Sequence, residues 1–232
     1  MSQANSSNAP KGAVAVLTGD IVRSQRLGSG GMALVHATFH EAVASLNRRW
    51  PGLVMGEAQF FRGDAWQLAL SRPEMFLRVA LFIRARLLSV GASMDTRIAV
   101  GLGGVEIFDD EAVSRSVGEA FTLSGHSLDE MGSRVDMWVN VPEAVRGSFF
   151  WLPPLLSLCS TLVGRWKPKQ AYNVSLALLA TNKKQEALAK DARVKRQTLG
   201  ISLTSAGWPA LEDVLTMIED LDFDGLLRGP AA

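Results

Sequence analysis

The segment from Leu53 to Ser71, LVMGEAQFFRGDAWQLALS, constrains the fold more than any other part of the chain. It predicts two short strands joined by a tight turn, because apolar residues alternate with others on both sides of Arg62-Gly63-Asp64. Glycine permits the positive backbone angle that such a turn needs. The aspartate has two interpretations: it belongs to an ordinary Gly-Asp turn, or it holds a hard cation near phosphate oxygens.

A second aspartate, Asp20, follows the apolar run AVAVL, which ends at Leu17. A continuous apolar run predicts a central strand that is buried on both faces. Asp20 then lies where a central strand ends, which is a common position for ligands in α/β folds. Asp20 and Asp64, on neighbouring strands, could share a divalent cation whose shell is completed by backbone carbonyls and phosphates. The loop from Arg23 to Gly31 could face those phosphates or be a solvated connector.

The N-terminal part of the chain alternates predicted strands and helices in the order β-α-β-β-α-β-α-β. This order predicts an α+β fold with a ferredoxin-like βαββαβ sheet and helices on one face. On the second helix, the spacing places Arg78, Arg84 and Arg86 toward the outer side. Outside the hairpin, the predicted segments after the first strand are the helices Met32–Trp50, Pro73–Val90 and Val117–Met131 and the strands Asp95–Ile107 and Arg134–Val141.

The composition sets limits on location and partners. The 232 residues carry a formal net charge of +1, so the whole chain has no general attraction to nucleic acid or membranes. The single cysteine, Cys159, excludes an intramolecular disulfide and fits a reducing cytoplasm, and no stretch is long enough to span a membrane. The predicted division is a disordered tail (1–12), a sheet domain (13–142), a linker with a connecting helix (143–166) and a helical domain (167–226).

Positive charge concentrates between Trp166 and Arg196. Apolar spacing there predicts two helices that cross at a steep angle, as in a (winged) helix-turn-helix, with Thr181-Asn182 capping the first of them. Many such motifs have glycine in the turn, where this chain has Arg193. The alternative is a helical pair used for dimerisation. The residues predicted to bind duplex DNA are Lys184, Lys195 and Arg196 for phosphates and Gln197 and Thr198 for base edges.

A series of short motifs follows one order along the chain. These are Asp-Ile-Val from Asp20, Gly-Asp from Gly63, Arg-Ile-Ala-Val-Gly-Leu-Gly from Arg97 and Gly-Glu-Ala-Phe from Gly118. The series resembles the class III nucleotidyl cyclase domain over about residues 13–141. It resembles the SatD family more closely, whose members join such a region to a helix-turn-helix. The resemblance therefore implies a cyclase-like sheet domain that is followed by a DNA-binding domain.

The resemblance also implies site residues. Asp20 and Asp64 would hold Mg²⁺ or Mn²⁺, and the backbone around Ile21 would face a nucleotide triphosphate. Two positions depart from the cyclase pattern on the helix after Gly118, where an asparagine and an arginine are replaced by Thr122 and His126. The base-reading lysine and the base-selecting acid are replaced by Phe60 and Arg115. The residues assigned to nucleotide binding are Arg23, Ser24, Gly63, Thr122 and His126.

Two classes of function follow. The first is a DNA-binding regulator whose cyclase-like domain binds a metal–nucleotide or mediates dimerisation. The second is a nucleotidyl cyclase or related phosphoryl-transfer enzyme with a DNA-binding module. The first is favoured because the basic helix pair is intact whereas the catalytic groups are only partly present. A homodimer is expected, since cyclase-like domains build their sites between two protomers and a helix-turn-helix reads two half-sites.

Overall fold

The computed structural model describes residues 10, 12–61, 63–132, 136–180 and 184–228. Most of the predicted tail, Arg62 of the predicted turn, Arg134 and Val135 of the predicted fifth strand and the predicted cap Thr181-Asn182 lie outside these residues. The strands are β1 (Val14–Ile21), β2 (Val54–Phe61), β3 (Ala65–Leu70), β4 (Thr96–Gly103) and β5 (Met137–Asn140). The helices are α1 (Gly28–Arg49), α2 (Phe76–Val90), α3 (Glu119–Glu130), α4 (Leu152–Val163), α5 (Pro168–Leu179), α6 (Gln185–Asp191), α7 (Arg196–Ser205), α8 (Trp208–Glu219) and α9 (Phe223–Arg228).

The strands form one five-stranded sheet in the order β2-β3-β1-β4-β5. β1 lies in the centre and pairs antiparallel with both β3 and β4, whereas β5 runs parallel to β4 at one edge. Val14 to Leu17 are fully buried, as the apolar run predicts for a strand covered on both faces. The fold is therefore mixed α+β, and the predicted order of strands and helices is confirmed.

The prediction of helices on one face of the sheet holds for the two crossover helices, α1 and α2, and is wrong for α3. α1 and α2 pack on one face, and α3 packs on the other, where its Ala120 and Phe121 meet Val14 and Val16 of β1. β4 permits this because Ala99, Gly101 and Gly103, on its α3 side, are small. A Cβ atom added at Gly101 would lie 2.1 Å from the carbonyl oxygen of Ala120. Only glycine at this position lets the helix approach so closely.

Helix α2 is buried on nearly all sides, since α1, the sheet, α5 and α8 surround it. The outward placement predicted for its arginines is wrong for two of them. Arg84 has no exposed surface and binds Asp95, and Arg78 is 7% exposed and binds Glu219 of α8. A charged side chain is tolerated inside a protein when an opposite charge and hydrogen bonds satisfy it.

The chain after β5 is helical. α4 begins at a Pro-Pro pair, which suits the first turn of a helix, and the following helices pack on one another and on α2. The described residues of 141–228 contain no strand, so they include no wing beside α7. Among the residues that the structure describes, no helix is long and apolar enough to cross a membrane. The division into the four predicted units stays a prediction.

Candidate functional site

A groove of about 640 Å³ opens on the α3 face of the sheet, where β1 ends, β3 begins and β4 begins. It contains both aspartates that the sequence singled out. Most of the lining comes from strands, which fix the directions of its side chains. The residues that line the groove are Thr18, Asp20, Phe61, Asp64, Ala65, Gln67, Arg97, Ser114, Gly125, Leu128 and Asp129.

Strand alternation determines which face Asp20 occupies. Val14 and Val16 point toward α3, so Asp20, an even number of residues further on, points to the same side. In the sheet register, Asp20 lies opposite Ala65 of β3 and Arg97 of β4. The carboxylate thus has a small neighbour on one side and a cation on the other.

Arg97 is a site residue that the sequence analysis used only as part of a motif. Its Nε donates to Oδ1 of Asp20 at 2.9 Å, and its Nη2 donates to Oδ2. Its Nη1 donates to the carbonyl oxygen of Met131 at 2.9 Å. The hydrogen bond to the Asp20 carboxylate raises the pKa of the Arg97 guanidinium above its usual value. Both oxygens of Asp20 are therefore held by one permanent cation.

Asp64 is placed by the hairpin tip and by the loop after β1. Gly63 has a φ of 90°, the left-handed conformation for which the sequence predicted glycine. Oδ2 of Asp64 accepts a hydrogen bond from Oγ of Ser24 at 2.6 Å. The backbone N–H of Ile21 donates to the carbonyl oxygen of Asp64 at 3.2 Å. These contacts bring the hairpin tip to the end of β1, although the side chain of Ile21 is buried on the other face.

The remaining residues predicted to bind nucleotide are spread more widely. Ser24 contacts Asp64, whereas Arg23 is exposed, with a φ of 53°, and does not line the groove. Thr122 and His126 are both exposed on α3 and are not among the lining residues. The structure therefore places Asp20 and Asp64 in one groove. Ser24 and Gly63 adjoin Asp64, but none of the five residues assigned to nucleotide binding is among the lining residues.

The groove also contains a chain of buried polar groups that the sequence analysis missed. Nε2 of Gln67 donates to Oγ1 of Thr18 at 2.9 Å. Thr18 Oγ1 lies 2.9 Å from Oγ of Ser124, which donates to the carbonyl oxygen of Phe121 at 3.0 Å. The sequence gives only a weak signal for this polar chain. Predicting it would require knowing that Thr18, Gln67 and the face of α3 that carries Ser124 lie on the same side of the sheet.

The oxygen atoms that line the groove partly suit a hard cation. Carboxylate and amide oxygens are ligands for Mg²⁺ and Mn²⁺, and the groove presents Asp20, Asp64 and Gln67. However, the part of the chain that the structure describes has no group of at least three His, Cys, Asp or Glu residues that could hold a metal ion. Asp20 is also engaged by Arg97. A cation would need further oxygens, such as those of phosphates, and a partner for the displaced guanidinium.

The helix pair predicted to bind DNA consists of α6 and α7. Leu188 and Ala189 of α6 and Leu199 and Leu203 of α7 are buried between the two helices and their neighbours. Arg193 in the turn has a φ of 53°, the conformation that glycine adopts in many such turns. The predicted DNA-binding residues are all exposed: Lys184 before α6, Lys195 and Arg196 at the start of α7, and Gln197 and Thr198 in its first turn.

Two arginines attach the helix preceding this pair to the rest of the fold. Nη1 of Arg78 donates to the carbonyl oxygen of Leu178 at 2.9 Å, and Nε of Arg49 donates to that of Leu179 at 2.9 Å. Both carbonyls belong to the last turn of α5, where a cation interacts favourably with the helix dipole. α1 and α2 thus hold α5, and both helices of the pair pack against α5.

The chain is similar to several solved structures but to no protein family model or curated protein sequence. The catalytic core of a rhodopsin-guanylyl cyclase with converted specificity, in complex with ATPalphaS, is 18% identical, covers 51% of this chain and 72% of its own, and has a TM-score of 0.38. The guanylyl cyclase Cya2 is 14% identical, covers 55% of this chain and 74% of its own, and has a TM-score of 0.40.

A third structure is the monomeric guanylyl cyclase domain of the RhoGC fusion protein from the aquatic fungus Blastocladiella emersonii. It is 18% identical, covers 51% of this chain and 75% of its own, and has a TM-score of 0.38. At identities of 14–18% and TM-scores of 0.38–0.40, these structures are ones to which the chain is similar, and neither a family nor an activity follows from them. The SatD resemblance and the helix-turn-helix assignment stay predictions.

Proposed function

We infer that this protein is a DNA-binding regulator whose sheet domain binds a divalent cation together with the phosphates of a nucleotide. The observation that carries this proposal is the groove in which Asp20 and Asp64 lie with Arg97 beside them. Phosphates and a cation can bind this groove together, because each supplies an interaction that the other lacks. The phosphates can accept from Arg97, and the Asp20 carboxylate that is released can bind the cation. Cation and nucleotide should therefore bind more tightly together than separately.

Binding, rather than turnover, is proposed because the groove contains few groups that could stabilise a transition state. Thr122 and His126, which stand in the cyclase positions of an asparagine and an arginine, do not line the groove. Losing a positioned donor that meets developing charge typically lowers a rate by about 10²–10³-fold. The alternative of an active cyclase is tested directly by incubating the protein with ATP or GTP and Mn²⁺ and separating the products. A cyclic nucleotide product would establish it.

The binding proposal is tested by calorimetry and thermal shift with ATP or GTP, each with and without Mn²⁺ or Mg²⁺. Metal-dependent nucleotide binding should fall in Asp20→Asn combined with Asp64→Asn, because both changes remove charge at nearly constant size. Asp213→Asn is the matched control, since Asp213 is exposed on α8 outside the groove. Equal binding by wild type and by the double variant would contradict the proposal.

The DNA-binding proposal is supported by the exposed basic start of α7. Lys195 and Arg196 precede Gln197 and Thr198 in the first turn, an arrangement that suits a helix entering the major groove. Arg196 is 3.5 Å from Glu186 across an exposed pair, which holds it only weakly. Its guanidinium therefore remains accessible to phosphate.

DNA binding is measured by fluorescence anisotropy on genomic fragments over a range of salt concentrations. Lys195→Glu combined with Arg196→Glu should lower the affinity for DNA and flatten its salt dependence, because a protein that makes fewer phosphate contacts releases fewer counterions on binding. The control is Arg115→Glu combined with Arg146→Glu, which makes the same charge change at exposed sites of the sheet domain and the segment after it. Unchanged affinity in the first variant, with its fold intact, would refute the assignment of α7.

A homodimer also belongs to this proposal. Sedimentation at micromolar concentration, with and without Mn²⁺ and nucleotide, should show a species of twice the 25.0 kDa chain mass. A 25.0 kDa monomer under all conditions would count against a dimer.

A further inference from the structure

A second group of basic residues lies where α4 passes into α5. Arg165, Lys167 and Lys169, here called the α5 cluster, are all exposed, and no carboxylate of a described residue pairs with them. The sequence has no Asp or Glu between Glu143 and Glu186, so the whole segment around the cluster carries only positive charge. An exposed basic surface without opposing carboxylates favours an anionic partner.

Side chains at the start of α5 hold the end of α7. Nε1 of Trp166 donates to the carbonyl oxygen of Ala206 at 2.9 Å, in a bond that is buried. Nε2 of Gln170 donates to Oγ of Ser205 at 2.9 Å, and Oε1 of the same residue accepts from the backbone N–H of Lys167 at 3.0 Å. The α5 cluster is therefore fixed beside the last turn of α7, at the opposite end from the basic start of that helix.

The exposed face of α7 between its two ends is uncharged. Gln197, Ile201 and Thr204 are exposed at helical spacing, whereas Leu199 and Leu203 are buried. Ile201 is 65% exposed, so this face has an apolar centre. Uncharged and apolar side chains suit base edges and thymine methyl groups, whereas basic side chains suit phosphates. The surface around α7 thus has a neutral middle and a basic cluster at each end.

This arrangement matches the dimensions of duplex DNA. α7 has 10 residues and is therefore roughly 15 Å long. The major groove of DNA is about 12 Å wide, and a phosphate backbone borders it on each side. A helix that crosses the groove brings each of its ends next to a different backbone. Duplex RNA does not fit in the same way, because side chains cannot read its deep and narrow major groove.

We propose that the α5 cluster binds phosphates on the far side of the major groove from Lys195 and Arg196. Duplex DNA is then held at both ends of α7, while the exposed face of the helix lies over the bases. Phosphate contacts carry no sequence information, so the α5 cluster contributes affinity and orientation on any duplex. The inference rests on the proposed function, because it assumes that α7 enters the major groove.

Fluorescence anisotropy with the full chain and a labelled random-sequence duplex measures how DNA affinity depends on salt. Lys167→Gln combined with Lys169→Gln should make the slope of log affinity against log salt shallower by about 2, since each phosphate contact contributes about 0.9. The loss of affinity between about 50 and 200 mM salt should then be about tenfold smaller than in wild type.

Two control variants separate a phosphate contact from packing and from total charge. Lys167→Arg combined with Lys169→Arg keeps both charges and should keep the wild-type slope. Arg115→Gln combined with Arg146→Gln removes two charges at exposed sites away from α7 and should also leave the slope unchanged.

The results distinguish this inference from the proposed function. A shallower slope in the double glutamine variant of the α5 cluster, on random-sequence DNA and on a genomic fragment alike, with both controls unchanged, supports the inference. If Lys195→Glu combined with Arg196→Glu weakens binding but the glutamine variant keeps the wild-type slope, the α5 cluster is refuted and the assignment of α7 stands. An equal loss in the arginine variant, or equally tight binding of duplex RNA to wild type, also refutes the inference. Absence of salt-dependent DNA binding in wild type would overturn the proposed function itself.

Discussion

Replacing Arg84 by methionine should destabilise the protein strongly, because Arg84 joins distant elements from inside the core. Its side chain has no exposed surface. Nε and Nη2 donate to the two carboxylate oxygens of Asp95 at 2.8 and 2.5 Å, and Nη1 donates to Ser160 of α4 at 2.8 Å. Asp136 before β5 lies at 3.5 Å. One guanidinium thus links α2, the starts of β4 and β5, and α4.

The size of this destabilisation follows from the carboxylate of Asp95, which loses its partner. Methionine fills similar space, so the cavity cost is small, but Asp95 loses its cation while its side chain is only 18% exposed. Breaking a buried ion pair from one side typically costs about 3–5 kcal/mol. The partial exposure of Asp95 favours the lower end, so we expect a loss of about 3 kcal/mol in the free energy of unfolding. With a urea m-value of about 3 kcal/mol/M, the midpoint would fall by about 1 M.

Urea denaturation followed by circular dichroism and tryptophan fluorescence measures this loss. Arg86→Met on the same helix is the matched control, since Arg86 pairs with Glu41, whose side chain is 62% exposed. Arg86 itself is only 15% exposed, but its removal leaves a carboxylate that water can solvate, so the pair is worth at most about 1 kcal/mol. A loss below about 1 kcal/mol for Arg84→Met, or equal losses for the two variants, would refute the reasoning that the buried link holds these elements together.

Backbone conformation and burial also predict the effects of two other substitutions on stability and the reactivity of Cys159. Arg193→Gly should raise the free energy of unfolding by about 0.5–1 kcal/mol, because glycine adopts the left-handed conformation at this turn without strain; a lower urea midpoint would contradict this. Gly101→Ala should destabilise by about 1–3 kcal/mol or more, since the added Cβ meets the Ala120 carbonyl oxygen at 2.1 Å. A variant with an unchanged thermal midpoint would show that α3 yields easily. Burial raises the pKa of Cys159 to about 11, so its thiol stays protonated at pH 8 and should react with a disulfide reagent only after unfolding; rapid reaction of the native protein would refute this.

The order of strands and helices could be read from the sequence because each segment has a clear period or a continuous apolar run. The face occupied by α3 was missed, although β4 carries a signal for it. Ile98, Val100 and Leu102 alternate with the small residues Ala99 and Gly101, and small residues on one side of a strand permit a close helix. Glycines in this strand predict a close approach of another backbone, but they do not specify that the approaching element is α3.

The buried arginines and the Asp20 pair could not be predicted in the same way. Arg84 and its partner Asp95 are close in sequence, but Arg78 pairs with Glu219, far along the chain. Helical periodicity assigns arginine to the solvent side, and only the tertiary fold brings the compensating carboxylate. Likewise, Arg97 meets Asp20 because β1 and β4 are paired in a particular register, which the sequence of neither strand specifies.

The enclosure of α2 bears on how such a chain can be rearranged. Ala171, Val174 and Leu178 of α5 belong to the same continuous core as α2 and the sheet, and Phe223 of α9 packs against Phe76 at the start of α2. A foreign helix pair grafted after residue 166 would have to bring a matching apolar face and a carboxylate for Arg78. Without them, apolar side chains of α2 would be exposed to solvent and Arg78 would lose its carboxylate partner. Replacement of the helices after residue 166 is therefore constrained by α2.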